Sequence, residues 1–306
     1  MDWDKSKYIS EELAQRVDVG DIKALYKPAK QSYKGENGKL LIIGGSRLFH
    51  GASLWAVKIA SRIVDLVYYC SIPENLKIAH KALLFDFIAV PKNQVHAYLK
   101  KSEAVLIGPG LEKNATTKNL TEQLLAQHPN QCWIIDACSL QTINKRALNQ
   151  KQVITPHLGE FVNLFNPAKE EIEILKSTQN NHKSASFNYQ KNKRRAKLVQ
   201  KYSKQYGCVI LLKGPIDIIT SPTEWKYNIT GNEGMTKGGT GDVLAGLVAS
   251  LACENDLFLA ACAGAYINGL AGDSLKKKVG IYFNTSDLCD EIPRVLKKLL
   301  ILKKIN

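Results

Sequence analysis

The chain lacks the features that mark several large classes of protein. No apolar run in its 306 residues approaches the ~20 needed to span a bilayer as a helix, and the start, Met1-Asp2-Trp3-Asp4-Lys5, lacks the apolar core of a secretory signal. Seven cysteines (70, 132, 138, 208, 253, 262, 289) are odd in number and form no Cys-x-x-Cys pair. That argues against a disulfide framework or a thiolate zinc site and fits free thiols in a reducing, cytoplasmic compartment. Acidic residues are outnumbered, 28 Asp and Glu against 42 Lys and Arg, for a net charge of +14. Such a surplus suits nucleic acid, an acidic surface or polyanionic small molecules. Much of it lies in residues 191–201, 276–278 and 297–304, with few aromatics interleaved. Nucleic-acid modules more readily interleave stacking rings, so these patches read as solvated helix faces and no nucleic-acid partner is expected.

Glycine, by contrast, is concentrated. The stretch Gly231-Asn232-Glu233-Gly234-Met235-Thr236-Lys237-Gly238-Gly239-Thr240-Gly241-Asp242 runs directly into the apolar, proline-free Val243-Leu244-Ala245-Gly246-Leu247-Val248-Ala249. A glycine-rich loop that opens a helix aims unpaired N–H groups and the positive end of the helix dipole at one point, which makes an anion site. Asp242 falls at that helix mouth. A carboxylate there either takes a proton from a hydroxyl attacking a bound phosphate or caps the helix, and the residues alone leave both readings open.

Hydrophobic content of 45% supports a large core, and the length is within range for a single α/β unit. Residues 1–37 are polar, with one amphipathic helix over 11–17, and read as an N-terminal arm. From 38 to 306 the pattern is one α/β domain. Lys39-Leu40-Leu41-Ile42-Ile43-Gly44-Gly45 is a buried strand ending in a glycine turn; residues 52–64 have helical spacing, and Val67-Tyr68-Tyr69-Cys70 is the next strand. That order is a βαβ unit with parallel pairing. Strands follow at Ala104-Val105-Leu106-Ile107, at Trp133-Ile134-Ile135-Asp136, at Gln152-Val153-Ile154-Thr155 and at Cys208-Val209-Ile210-Leu211-Leu212. A helix is expected at 120–127, a hairpin over 217–228, and closing helices over 257–275 and 289–305. The expected fold is a doubly wound, mostly parallel α/β sheet flanked by helices.

Ligands in such sheets bind beyond the carboxyl ends of the strands. That rule places Gly44-Gly45, Gly108-Pro109-Gly110, Asp136, His157, Lys213-Gly214 and the Gly238 to Asp242 loop along one rim. Each alone is weak, since Gly-Pro-Gly is usually a turn and a His after Thr-Pro is more often a turn residue than a ligand. Their convergence is what informs. Residues 166–197, rich in Asn, Lys and Ser, interrupt the pattern as a polar excursion between two helices (168–175 and 192–206) and read as a surface insertion rather than a lid.

With these residues in place, the chain resembles the NAD(P)H-hydrate dehydratase family of the ribokinase-like superfamily over roughly residues 33–300. The opening strand through Ser46, Gly51-Ala52, Ile107-Gly108-Pro109-Gly110-Leu111, Ile154-Thr155-Pro156-His157-Leu158-Gly159-Glu160-Phe161, Leu212-Lys213-Gly214 and the block from Thr230 to Gly246 carry the likeness. Gly-x-Gly-Asp alone says only ribokinase-like; Thr-Pro-His-x-Gly-Glu together with Gly-Met-x-x-Gly-Gly-Thr-Gly-Asp is far more specific. One departure is Asp136-Ala137-Cys138-Ser139-Leu140, where the family has a second acid in place of Cys138. About 35 residues precede the first strand, too few for the epimerase domain that many relatives carry, so an epimerase is expected as a separate chain.

The resemblance implies repair of hydrated NADH and NADPH (NADHX and NADPHX), driven by the terminal phosphate of ADP or ATP, with ADP favoured, and with Mg²⁺. It implies that Ala52, Gly110, His157 and Asp242 line the hydrated dinucleotide. Lys213, Gly214, Pro215, Ile216 and Asp217, with Gly241, would hold the donor nucleotide, and Gly239, Thr240 and Gly241 would form the anion hole. Asp242 would be the catalytic base, and Glu160 would orient Mg²⁺ through water. Relatives are often homotetramers, so a homo-oligomer is expected. The nearest rival is a ribokinase-like kinase of the hydroxyethylthiazole or hydroxymethylpyrimidine type, from which Pro156-His157-x-Gly159-Glu160 distinguishes the chain. A catalytically dead, basic nucleic-acid-binding relative ranks third, because the Asp242 loop is intact.

Overall fold

A computed structural model describes residues 11–177 and 188–301 of the chain. Among them, one nine-stranded sheet contains β1 (Lys39–Ile43), β2 (Leu66–Cys70), β3 (Ile88–Ala89), β4 (Ala104–Ile107), β5 (Cys132–Ile135), β6 (Gln152–Ile154), β7 (Val209–Leu212), β8 (Asp217–Thr220) and β9 (Trp225–Asn228). The order is β3-β2-β1-β4-β5-β6-β7-β8-β9. Pairing is parallel from β3 to β7, and β8 and β9 add an antiparallel hairpin.

Strands such as Leu40-Leu41-Ile42-Ile43 and Val209-Ile210-Leu211-Leu212 show no polar alternation because both sheet faces are covered. Successive side chains go to opposite faces. Leu40 and Ile42 thus join a core with the helices His50–Ala60, Thr240–Leu251, Leu257–Val279 and Thr285–Ile301, while Leu41 and Ile43 join a second core with Ala115–Gln127, Leu158–Phe165 and Tyr189–Tyr206. The chain leaves β1 for β2 and β3, then returns past β1 to β4 and continues the other way. The crevice between the ends of β1 and β4 is therefore the topological switch point.

Two glycines hold the rim in shape. A Cβ on Gly246 would lie 2.8 Å from Ala56 Cα, so the helices His50–Ala60 and Thr240–Leu251 pack backbone to backbone and begin side by side. Gly110, at φ +73°, would place a Cβ 2.2 Å from Phe49 O, while Gly45 N donates to Pro109 O at 2.8 Å. The turns after β1 and β4 are closed onto each other.

Several boundaries differ from the sequence reading. The helix expected from 120 starts at Ala115, because the Asn114 side chain caps it by accepting from Thr117 N at 2.9 Å. The one expected over 52–64 stops at Ala60, and the last begins at Thr285. The helix expected over 11–17 ends at residue 14; Arg16 bridges to Tyr227, and Val17 N donates to Tyr227 O at 3.0 Å. Both flanks of the polar excursion are helical, Lys169–Lys176 and Tyr189–Tyr206, and bury Leu175, Tyr189 and Ala196. Its centre lies outside the described residues.

Candidate active site

Three neighbouring strands deliver the charged groups. Asp136 follows β5, His157 and Glu160 follow β6, and Lys213 follows β7. Parallel strands in register end together, so residues far apart in sequence meet at one edge. Asp136 is buried, and its Oδ1 accepts from Thr155 Oγ1 at 2.7 Å and from Lys213 Nζ at 3.0 Å. Lys213 Nζ also lies 4.0 Å from Glu160 Oε2. Burial pulls the Lys213 pKa down, but Asp136, Glu160 and Asp242 outweigh it, and the ammonium is held above its ordinary range.

Glu160 and His157 form a reciprocal cap on the helix Leu158–Phe165. His157 N donates to Glu160 Oε2 at 2.9 Å, and Glu160 N donates to His157 Nδ1 at 3.2 Å. Because Nδ1 accepts, a neutral imidazole carries its proton on Nε2, 3.5 Å from Glu160 Oε1. Gln141 Nε2 donates to the same Oε1 at 3.0 Å. The His157 ring is largely exposed, so it can meet a ligand while its other nitrogen is spoken for.

The glycine loop arrives from the opposite core. Gly239 is the N-cap of the helix Thr240–Leu251 at φ +96°, and a Cβ there would lie 2.9 Å from both Thr285 Oγ1 and Trp55 Cδ1. Thr285 Oγ1 donates to Gly238 O at 2.7 Å, and Thr240 Oγ1 to Met235 O at 2.7 Å. The loop is thus fixed from both sides; in the first helical turn Thr240 N donates back to Lys237 O at 3.4 Å, and the N–H of Gly241 is among those that a helix leaves unpaired. Lys213 Nζ is 3.7 Å from where a Gly241 Cβ would stand. Asp242, half-buried in that first turn, has its pKa pushed up to about 7, chiefly by burial and then by the charge of Asp136, with Lys213 opposing.

The segment after β7, expected to hold the donor nucleotide, is a tight turn. Asp217 Oδ1 accepts from Gly214 N at 3.0 Å, and Oδ2 accepts from Asn228 Nδ2 at 3.0 Å, so this carboxyl shapes the turn, leaving Gly214 and Pro215 exposed. Burial raises the Asp217 pKa to about 6. Ala52, in the first turn of His50–Ala60, and Gly110 lie toward the switch point. Asp242, Lys213, Glu160 and Asp136 share one electrostatic cluster with Gly241 and His157 beside it; Ala52 and Gly110 stand along the rim from them. In the sequence Thr155 is part of the Thr-Pro-His motif but is given no role in the site, and Trp55 is not singled out. The threonine leaves a signal, its place at the head of that motif.

Cys138 lies close enough to Glu160, Asp136 and Asp242 for their charges, together with burial, to raise its thiol pKa. A neutral thiol therefore stands beside these three acids. Among the described residues no group of three or more His, Cys, Asp or Glu side chains is arranged to hold a metal directly. No helix among them is long and apolar enough to cross a membrane.

The sheet order and the glycine loop opening the helix Thr240–Leu251 are those of a ribokinase-like fold. A ribokinase-like protein from Enterococcus faecalis superposes with a TM-score of 0.78 at 24% identity, covering 93% of this chain and 96% of its own. The sequence profile described as NAD(P)H-hydrate dehydratase matches residues 40–294. The ADP-dependent (S)-NAD(P)H-hydrate dehydratase of Nitrosopumilus maritimus is 34% identical over 283 residues, 87% of this chain and 91% of that one. The bifunctional NAD(P)H-hydrate repair enzyme of Methanocaldococcus jannaschii is 37% identical over 298 residues, 94% of this chain and 54% of that one. The chain belongs to the NAD(P)H-hydrate dehydratase family. It spans about half the length of the bifunctional relatives that it matches.

Proposed function

We propose that the chain returns hydrated NADH and NADPH to NADH and NADPH, at the expense of a nucleotide's terminal phosphate. The observation that carries this is the pairing of a glycine-built anion cradle with a carboxyl poised to ionise near neutral pH. Hydroxide is a poor leaving group. In the first step the ring hydroxyl oxygen forms a bond to the donor's terminal phosphorus as the bridging P–O bond breaks, and Asp242 takes the hydroxyl proton. In the second, the ring nitrogen's lone pair expels phosphate as the C–O bond breaks, and a neighbouring carbon loses a proton to restore the double bond.

A base with a pKa close to the working pH combines availability with driving force, and such help is worth roughly 10²–10⁴-fold. N–H groups of Gly239, Thr240 and Gly241 would stabilise charge on the phosphoryl group, and Lys213, tethered to Asp136, supplies a fixed cation at its edge. His157 Nε2–H would donate to the dinucleotide, for which Ala52 and Gly110 leave room. Lys213, Gly214, Pro215, Ile216 and Asp217 would seat the donor. The Nitrosopumilus relative is named ADP-dependent, which supports ADP as donor. The donor set, acids without a direct metal cluster, fits a magnesium ion held chiefly by phosphate oxygens and water, with Glu160 reaching it through water; the ion would neutralise phosphate charge. A homo-oligomer, a cytoplasmic location and a separate epimerase acting on the same hydrate complete the proposal.

The test is recovery of NADH absorbance from purified hydrate, with ADP and ATP in parallel. A stable phosphate ester in place of NADH would instead favour the vitamin-precursor kinase.

A further inference from the structure

The helix Tyr189–Tyr206 packs on β7, β8 and β9, and its buried stripe runs through Asn192, Arg195, Ala196, Val199 and Tyr202. Helical spacing of three and four calls for apolar residues along such a stripe, yet one of them is an arginine, 3% exposed. Its guanidinium is poorly satisfied. Nη1 donates to Asn192 Oδ1 at 3.0 Å, and Nε has no partner among the described residues. The helix holds no Asp or Glu that could neutralise it. Asp217, whose charge reaches Arg195, already accepts from Gly214 N and Asn228 Nδ2. Burial pulls the guanidinium pKa down to about 10, which leaves it charged at neutral pH. Arginine is almost never fully buried without an anion, because desolvating a lone cation is costly. None of the chemistry above accounts for it.

The remaining side of the guanidinium faces the turn after β7. Arg195 Nη2 lies 3.9 Å from where a Gly214 Cβ would stand, with Ile216 N at 4.0 Å and Ile216 O at 3.4 Å. Gly214 has no positive φ, so the turn itself does not demand a glycine; what the glycine leaves is open space at an exposed position. Two donors border that space, one of them charged, and Ile216 N has no hydrogen-bond partner among the described residues. The neighbouring Lys213 reaches the other way, to Asp136, and stands 3.7 Å from the Gly241 Cβ position in the anion loop. A donor lying from that loop to this turn would hand over its terminal phosphate at Gly241 and rest the phosphate it keeps at Gly214.

Resting on the reading of this turn as the donor seat, we infer that Arg195 is a donor-binding residue, whose Nη2 takes an oxygen of the phosphate that the nucleotide keeps, in the gap left at Gly214. When the bridging P–O bond breaks, its electron pair stays on the departing nucleotide, and that phosphate gains negative charge. A guanidinium already in place meets the charge without reorganising. Arg195 thus serves donor affinity and the departure of the nucleotide, and it moves no proton.

The test is calorimetric titration of ADP, AMP and adenosine into the wild-type protein, Arg195→Gln and Arg195→Lys. Glutamine keeps a group that can donate to Asn192 and removes the charge. ADP and AMP both carry the kept phosphate, and adenosine lacks it. Loss of one charged hydrogen bond weakens binding roughly 10- to 100-fold. Arg195→Gln should therefore weaken both nucleotides by that factor and leave adenosine at its wild-type affinity, and Arg195→Lys should recover most of the loss. A merely structural arginine would weaken all three ligands together; that result, or no change in any, overturns the inference. Should glutamine prevent folding, Gly214→Ala, whose methyl fills the gap with no contact under 3.4 Å, must show the same pattern, and unchanged ADP and AMP affinity overturns the assignment. Binding is read without turnover. A phosphate-selective loss in a protein that recovers no NADH would retire the dehydratase reading and leave Arg195 assigned. In turnover, Arg195→Gln should raise KM for ADP and lower kcat, with KM for the hydrated dinucleotide unchanged.

Discussion

Asp242→Asn should make the protein more stable and nearly inactive at once. The carboxyl is raised from its ordinary 3.8 to about 7, and each unit corresponds to ~1.4 kcal/mol between the protonation states. For an acid whose folded pKa is raised, the stabilising contribution is complete below the unfolded value, 3.8, and is lost as pH climbs through about 7. Complete loss would amount to about 4 kcal/mol; water reaching the half-buried side chain reduces this to about 2–3 kcal/mol. Asparagine keeps the shape and never ionises. Its advantage over wild type in urea unfolding should therefore widen by about 2 kcal/mol between pH 5 and pH 8. Turnover should fall by roughly 10²–10⁴-fold with donor binding retained. A stability difference that is flat or shrinks as pH rises would refute the electrostatic account, and near-normal turnover would refute the role of the base.

The other tests address its neighbours. Wild-type kcat/KM should rise with pH through an apparent pKa of about 7; Asp136→Asn removes the charge that, after burial, does most to raise Asp242, so the limb should shift to lower pH. A limb that stays in place would break the link. Cys138→Asp adds an acid beside the same cluster and should move the limb to higher pH, read from the same profile. His157→Ala should raise KM for the hydrated dinucleotide more than for the donor, and lose about 1 kcal/mol of stability with the helix cap; a larger effect on the donor would place the ring at the wrong subsite. Gly239→Ala, forced onto φ +96° against Thr285 and Trp55, should lower turnover by roughly 10²-fold or more while circular dichroism stays native. Full activity would mean that the loop tolerates displacement.

Much of this was legible in the chain. Apolar strands of four or five residues closed by glycine, Pro or Asp announced the parallel sheet, and the Gly238 to Asp242 loop announced the anion site. Lys213 and Asp136 were each placed on the rim, but their 3.0 Å contact joins residues 77 apart and depends on the ends of β5 and β7 coming level. No local pattern encodes that. The reciprocal cap between His157 and Glu160 follows a spacing rule usually written for Ser or Thr, so a histidine in that place hides it. The short helices Pro73–Lys81 and Val95–Leu99 carry too few turns for periodicity to be counted.

The lysine-rich exterior and the acid-lined pit have opposite signs, and this separates capture from commitment. A chain with fourteen surplus positive charges draws polyanions across the Debye length, about 8 Å at physiological ionic strength, yet a nucleotide bound as proposed would settle where three carboxylates surround one lysine. Added salt should therefore slow arrival at low reactant concentration while leaving the saturated rate nearly unchanged, because buried charges are shielded far less than those on the rim of the molecule.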